Sequence, residues 1–302
     1  IKECDWSSDV CSSDLEAAID FYHQRLLNSD DAGRARQYVR SRGFDRDAVV
    51  QFRLGYSPGG WDDLSRALQQ QAPLDLRVNA LAAKRDEVVR KLATEGMQAS
   101  ATPYSPLGVR VANNPSLGTH PLFVHGEIEI QDEGSQLLAY LVAPKRREMV
   151  ADFCAGAGGK TLALGALMQS QGRLYAFDVS ETRLNKLKPR LKRSGLSNVN
   201  PQLIASENDL KIKRLAGKFD RVLVDAPCSG FGTLRRNPDL KWRQSETSIG
   251  ELTAKQQRIL TAAAALVKPG GRLVYATCSF LRAENQDVIA AFLAAHAGFK
   301  LV

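Results

Sequence analysis

Apolar positions change rhythm three times along this chain of 302 residues. The first fifteen residues repeat Ser-Ser-Asp without apolar periodicity, so neither structure nor function is expected of them, Cys4 and Cys11 included. From Leu15 to Leu68 apolar residues recur at helical spacing, with breaks at Asp30-Asp31, Gly43 and Pro58-Gly59-Gly60. Three short helices are predicted there. After Ala72, Leu74 to Asn79 reads as a strand, Lys84 to Glu95 as a helix, and Val109 to Val111 and Pro121 to Val124 as further strands. From Ser135 onward the alternation is longer and regular. Strands are predicted near Met149 to Phe153, Arg173 to Phe177, Val199 to Ile204, Arg221 to Val224 and Arg272 to Ala276, with helical stretches between them and a last one from Ala283 to Ala295. Such βαβα order predicts an α/β fold with a parallel, doubly wound sheet, which binds ligands at the carboxyl ends of its strands. Phe299 to Val302 reads as the start of one more strand.

Composition narrows the picture. With 44% hydrophobic and 25% charged residues, a disordered tail or a fibre is excluded. The net charge of +8 is uneven: residues 1–70 hold 9 basic and 12 acidic side chains, residues 71–302 hold 32 and 21. A polyanion site is therefore expected in the second part. Five cysteines without a C-x-x-C pair make neither a disulfide framework nor a zinc site, so no metal is expected and a reducing compartment suits the chain. No apolar run approaches the ~20 residues of a membrane span. The expectation is a cytoplasmic monomer with no membrane partner.

The chemistry concentrates in two places. The first predicted strand of the large sheet runs into A-D-F-C-A-G-A-G-G-K-T (151–161), a glycine-rich turn that lets backbone approach a ligand closely. A P-loop needs glycine where Cys154 stands, and a dinucleotide fingerprint needs it at Thr161. S-adenosylmethionine fits better, because it lacks a pyrophosphate and needs close backbone contact and a ribose-binding acid. Asp178, 22 residues beyond Gly156, stands where such a carboxylate reaches ribose hydroxyls, although a strand-end Asp is also a common helix cap. Asp209 could similarly meet the adenine amino group, and helix capping explains it equally well. The second place is F-D-R-V-L-V-D-A-P-C-S-G-F-G-T (219–233). Its Asp225 also resembles a Walker B carboxylate, which keeps a P-loop-like NTPase open. Cys228 after one strand and Cys278 after its predicted neighbour would bring two thiols and an acid together beside the cofactor.

Residues 73–302 resemble the bacterial RNA cytosine C5-methyltransferases, the family of ribosomal RNA methyltransferase B and the Nop2/Sun proteins. The motifs are P-L-D-L-R-V-N (73–79), Q-D-E-G-S-Q-L (131–137), D-F-C-A-G-A-G-G-K-T (152–161), D-A-P-C-S-G-F-G (225–232) and Y-A-T-C-S (275–279). The resemblance implies a Rossmann-like methyltransferase sheet, S-adenosylmethionine as cofactor, and RNA, ribosomal RNA foremost, as substrate and partner. It implies Cys278 as nucleophile and Cys228 as the residue that aids product release. Cys154, Ala155, Gly156, Ala157, Gly158, Gly159, Lys160, Asp178, Arg183, Asp209 and Asp225 would bind the cofactor; Ala157 departs from the proline many members carry. Methyltransferases of this fold end on an antiparallel hairpin, so the last strand is expected to be missing.

Carbon 5 of cytosine is too weak a nucleophile to accept a methyl group unaided. A thiolate must first add at carbon 6, and a nearby cation such as Lys160 would lower the thiol's pKa. Asp225 could give a proton to nitrogen 3 and neutralise the charge developing there. For RNA, the expected contacts are Arg235, Arg236, Lys241 and Arg243 around Trp242, together with Arg77 and Asn79. The basic helix beyond Glu181 is as well explained by a solvated face.

The segments F-Y-H-Q-R-L-L (21–27), A-R-Q-Y-V-R-S-R-G-F (35–44) and F-R-L-G-Y-S-P-G-G-W-D-D-L (52–64) resemble the start of the bacterial DNA primase core without its metal-binding acids; residues 1–15 resemble adapter-derived sequence. Four parts are expected: 1–15 without structure, 16–70 helical and foreign to the rest, 71–130 a small α/β RNA-binding unit, and 131–302 the methyltransferase domain. The competing readings are the NTPase and an RNA-binding protein of the same fold without catalysis.

Overall fold

The structure, a computed structural model, describes residues 22–41, 45–51, 72–237 and 239–302. Residues 1–15, the break at Gly43 and the segment 52–64 lie outside them. Within the described part of the N-terminal region, 22–28, Gly33–Ser41 and Arg46–Gln51 are helical, with a 3-10 turn at Asp30–Ala32 where a break was predicted.

Residues 72–130 form an antiparallel sheet of β1 (Leu74–Val78), β2 (Ala99–Ala101), β3 (Gly108–Val111) and β4 (Ile128–Ile130), in the order β2-β3-β1-β4. Helix α1 (Arg85–Thr94) buries Val88 and Leu92 against Leu76, Val78, Val109, Val111 and Ile128. Pro121–Val124 is a one-turn helix, α2, and not the predicted strand. Pro121 presets the first helical φ, and the His120 ring accepts the Leu122 amide at 3.2 Å, so capping overrides a short apolar run. The apolar alternation of β2 and β4 is too brief to show in the sequence.

The larger sheet is wholly parallel, in the order β7-β6-β5-β8-β9, from β5 (Met149–Asp152), β6 (Arg173–Asp178), β7 (Val199–Leu203), β8 (Phe219–Asp225) and β9 (Val267–Ala276). Helices cover both faces. On one, α3 (Glu133–Val142) and α4 (Gly159–Leu167) pack Ala139, Val142, Ala163 and Leu164 on Val150, Leu174 and Leu223. On the other, α8 (Glu246–Ala264) and α9 (Gln286–Ala295) pack Ile259, Leu260, Ala263, Val288 and Phe292 on Phe177, Phe219, Val222 and Val224. Burial on both faces is why these strands read as continuous apolar runs. Between them run α5 (Glu181–Ser194), α6 (Leu210–Lys213) and α7 (Leu240–Arg243). Phe299–Val302 forms no strand; Leu301 and Val302 are exposed, and four residues cannot hold strand geometry without a ladder to join.

The two sheets are fastened together by buried polar groups. Glu133 accepts the Tyr104 and Ser105 amides at 2.7 and 2.6 Å, and Gln136 donates to the Leu76 and Gln131 carbonyls. Glu129 of β4 pairs with Arg190 at 2.9 Å and with Arg193, both on α5. Strand order reverses between β5 and β8, which opens the crevice at their carboxyl ends where this class of sheet binds ligands.

Candidate active site

Cys154 to Lys160 make the turn from β5 into α4. Gly156 has φ +56° and Gly158, the residue before α4, has φ +88°, a region that favours glycine. At Gly158 a Cβ would also meet Leu187 Cδ1 of α5 at 2.1 Å. Around a Cβ at Gly156 nothing lies within 4 Å, so this turn borders open space. Within the turn the Ala157 carbonyl accepts from Arg190 at 2.9 Å. Burial pushes the Cys154 thiol well up, which keeps it protonated.

Asp178 ends β6 with its two oxygens on the Gly156 and Ser180 amides, at 2.8 and 2.7 Å. That fixes the carboxylate beside the glycine turn, and each oxygen retains a lone pair for a ligand hydroxyl. Ser180 caps α5 through the Arg183 amide, which places Arg183 in the first turn after Asp178. Asp209 caps α6: it accepts the Lys211 and Ala205 amides, both at 2.8 Å, and those bonds hold its carboxyl below the usual range.

Lys160 Nζ lies 2.8 Å from Asp225 Oδ2 at the end of β8. Burial raises the Asp225 carboxyl against the pull of Lys160, so a proton there is easier to keep than on a free Asp. Beyond it, Cys228 Sγ and Cys278 Sγ are 3.1 Å apart, and the Cys278 amide donates to Cys228 Sγ at 3.2 Å. Cys228 is buried, Cys278 partly exposed. The contact with Cys278, then burial, push the Cys228 thiol far up, so Cys228 holds its proton. Cys278 acts electrostatically on Asp225, the acid that Lys160 pairs with. Phe231 and Phe280, each a few residues past a cysteine, stack with centroids 6.0 Å apart.

The expected RNA contacts divide. Arg77 and Asn79 are buried. Asn79 donates to the Gly126 carbonyl at 2.9 Å and the Ser194 carbonyl at 3.0 Å, and Arg77 donates to Gln131. Asn79 thereby fastens the small sheet to α5, Arg77 ties β1 to the residue after β4, and neither presents surface to a polyanion. Arg236 likewise bonds the Pro73 carbonyl at 2.8 Å and faces Asp132 at 3.5 Å. Arg190 and Arg193 also face inward, on Glu129. The reason is common to all: a cation at the seam of two packed units finds a buried carboxylate or carbonyl that needs it. Trp242 is 82% exposed on α7, beside Arg243, which pairs with Asp239; Arg235, shortly before α7, is half-buried.

Sequence reasoning gave no role to Asp152, although it opens the quoted D-F-C motif. It is buried, accepts the Thr161 hydroxyl at 2.7 Å on Oδ2, and its Oδ1 has no hydrogen-bond partner among the described residues. Burial, against the Thr161 bond, raises its carboxyl to about 7.

A five-stranded parallel sheet in this order, with its glycine turn and strand-end acids, is the fold of the Rossmann-like methyltransferases. A family model described as 16S rRNA methyltransferase RsmB/F matches residues 139–302, and one for the ferredoxin-like domain of the same proteins matches residues 52–117. The chain belongs to this family. It is 40% identical over 239 residues to a probable ribosomal RNA small subunit methyltransferase B of Synechocystis, covering 78% of this chain and 53% of that protein. To ribosomal RNA small subunit methyltransferase B of Shewanella oneidensis it is 38% identical over 244 residues, covering 81% and 56%. The chain thus spans about half the length of the curated relatives it matches. The solved structure of a methyltransferase homolog protein from Pyrococcus horikoshii superposes with a TM-score of 0.69 at 32% identity, covering 83% of each chain.

Proposed function

We propose that this chain transfers a methyl group from S-adenosylmethionine to carbon 5 of a cytosine in RNA, ribosomal RNA of the small subunit foremost, through a covalent Cys278–cytosine intermediate. The observation that carries the reading is the pair of thiols 3.1 Å apart at the ends of β8 and β9, next to the Lys160–Asp225 pair.

The cofactor fits the residues present. Gly156 leaves open space beside the turn, Asp178 is held where it can accept ribose hydroxyls, and the unpartnered oxygen of Asp152 lies buried at the same strand end. When bound, S-adenosylmethionine supplies an electrophilic methyl group. Cys278, the more exposed thiol, adds as thiolate to carbon 6, forming the S–C6 bond and moving the double-bond electron pair toward carbon 5. Asp225, whose carboxyl burial raises, donates a proton to nitrogen 3 as negative charge develops there. Lys160 then balances the carboxylate. Once carbon 5 carries the methyl group, a base takes the carbon 5 proton, its electron pair rebuilds the C5–C6 double bond, the S–C6 bond breaks with its pair returning to sulfur, and nitrogen 3 gives its proton back to Asp225. Cys228, protonated and in contact, gives the departing sulfur a hydrogen bond. The exposed Trp242 offers a stacking face to a base of single-stranded RNA.

Radiolabelled methyl transfer to undermethylated small ribosomal subunits and to free ribosomal RNA, with mapping of the product, tests this reading. Label at carbon 5 of a cytosine supports it. RNA binding without methyl incorporation, or ATP hydrolysis in its place, rejects it.

A further inference from the structure

Two consecutive residues, Glu284 and Asn285, hold both thiol-bearing loops. Glu284, fully buried, accepts the Ser229 amide at 2.8 Å and Gln256 Nε2 at 3.0 Å on one oxygen, and the Ser229 hydroxyl on the other. Gln256 of α8 in turn donates to the Pro227 carbonyl at 3.0 Å. The residues on either side of Cys228 are therefore gripped from Glu284. Asn285 does the same for Cys278: its oxygen accepts the Thr277 hydroxyl at 2.7 Å, and its amide nitrogen donates to the Ser279 and Leu281 carbonyls at 2.8 and 2.9 Å. The two loops meet again where the Ser229 and Ser279 hydroxyl oxygens lie 3.1 Å apart.

Neighbouring helical residues diverge by about 100° around the axis and could not both serve one site. Here the helix is broken. A 3-10 turn, Arg282–Glu284, ends at Asn285 with φ −121° and ψ −88° before α9 begins, and the Tyr275 hydroxyl pins the Glu284 carbonyl at 2.8 Å. A buried carboxylate is costly to keep, and an apolar residue of similar volume would fill the space with less desolvation. What the carboxylate adds is geometry, three donors fixed around one loop.

We propose that Glu284 and Asn285 are positioning residues that set the separation and alignment of Cys228 and Cys278, each holding one loop. The inference concerns the arrangement of the thiols; its catalytic consequence rests on the methyltransferase reading.

The test separates the two. Asn285→Ala and Glu284→Gln are compared with the unaltered chain in the rate at which hydrogen peroxide closes a Cys228–Cys278 disulfide, followed by peptide mass mapping, and in affinity for S-adenosylmethionine by calorimetry. The expected result is bridge formation slowed by about tenfold or more in both variants, cofactor affinity within about twofold, and kcat lowered by about tenfold or more at unchanged KM for RNA. Asn285→Asp, which keeps only the acceptor for Thr277, should fall between. Unaltered bridge formation in folded Asn285→Ala overturns the proposal, as does slowed bridging with unchanged kcat. Glu284→Gln is the variant more exposed to misfolding, and Asn285→Ala decides the matter without it. If no protein transfers methyl groups, the function reading fails while the bridging rates still decide the positioning role.

Discussion

Arg190 donates to the Ala157 carbonyl at 2.9 Å while its other nitrogen holds Glu129 of the small sheet at 2.9 Å. One guanidinium therefore spans from β4 to the glycine turn of the large sheet, and its fork geometry suits that double task. Leu187, one turn earlier on α5, fills the space that a Cβ at Gly158 would need. Helix α5 thus supports the turn from behind. Arg190→Met should cost about 2 kcal/mol in urea unfolding, since Glu129 is left with Arg193 alone. It should also weaken S-adenosylmethionine binding about fivefold, the scale of one lost supporting hydrogen bond. Cofactor affinity unchanged by calorimetry would confine the residue to joining the sheets.

The two positive-φ glycines of the turn should respond differently to alanine. Gly158→Ala combines φ +88° with a clash on Leu187 and should destabilise the fold by about 2–4 kcal/mol. Gly156→Ala meets nothing within 4 Å and should cost only about 1 kcal/mol, yet place a methyl group in the ligand's space and weaken cofactor binding about tenfold or more. Equal losses of stability in both variants would contradict this division.

Asp152 predicts a pH dependence. Its carboxyl stands at about 7 in the fold against an ordinary 3.8, chiefly through burial. Between these values the folded chain binds a proton that the unfolded chain has released, so stability from this group falls as pH rises through the window. Asp152→Asn keeps an acceptor for Thr161 and removes the charge. Thermal unfolding should show the variant converging with the natural chain near pH 4 and gaining over it toward pH 8, by an amount on the order of a few kcal/mol. A difference independent of pH would exclude Asp152 as its source.

Trp242→Ala should leave stability unchanged, because the ring is 82% exposed. If the ring stacks on a base, KM for RNA should rise about tenfold with kcat unaltered, matching about 1–3 kcal/mol per stacked base. A steady-state comparison on one RNA substrate decides it, and an unchanged KM would remove Trp242 from the interface.

Much of the site was legible because it is local. The glycine turn, Asp178, Asp225 and both cysteines all stand at strand ends, and strand ends announce themselves as the last apolar residue of a run. What escaped is what depends on distant partners. Arg77, Asn79 and Arg236 look like RNA ligands by residue type, but Gln131, Ser194 and Pro73, which engage them, are far away in sequence. Glu284 and Asn285 read as the first turn of an ordinary helix, and only the fold shows the break that turns them on the cysteine loops. Pro121–Val124 misled because a four-residue apolar run carries no period. The ferredoxin-like match begins at residue 52, inside the segment that resembles primase, while the first described strand of that unit begins at Leu74.

The central claim is that Cys278 bonds to the cytosine and Cys228 lets it go. Cys228→Ala, incubated with substrate RNA and S-adenosylmethionine, should give a protein–RNA adduct that survives denaturing electrophoresis, with the modified peptide containing Cys278 by mass spectrometry. The adduct should vanish in Cys228→Ala/Cys278→Ala, and Cys278→Ala alone should methylate nothing. Normal methylation by Cys278→Ala, or an adduct that persists without Cys278, would contradict the account.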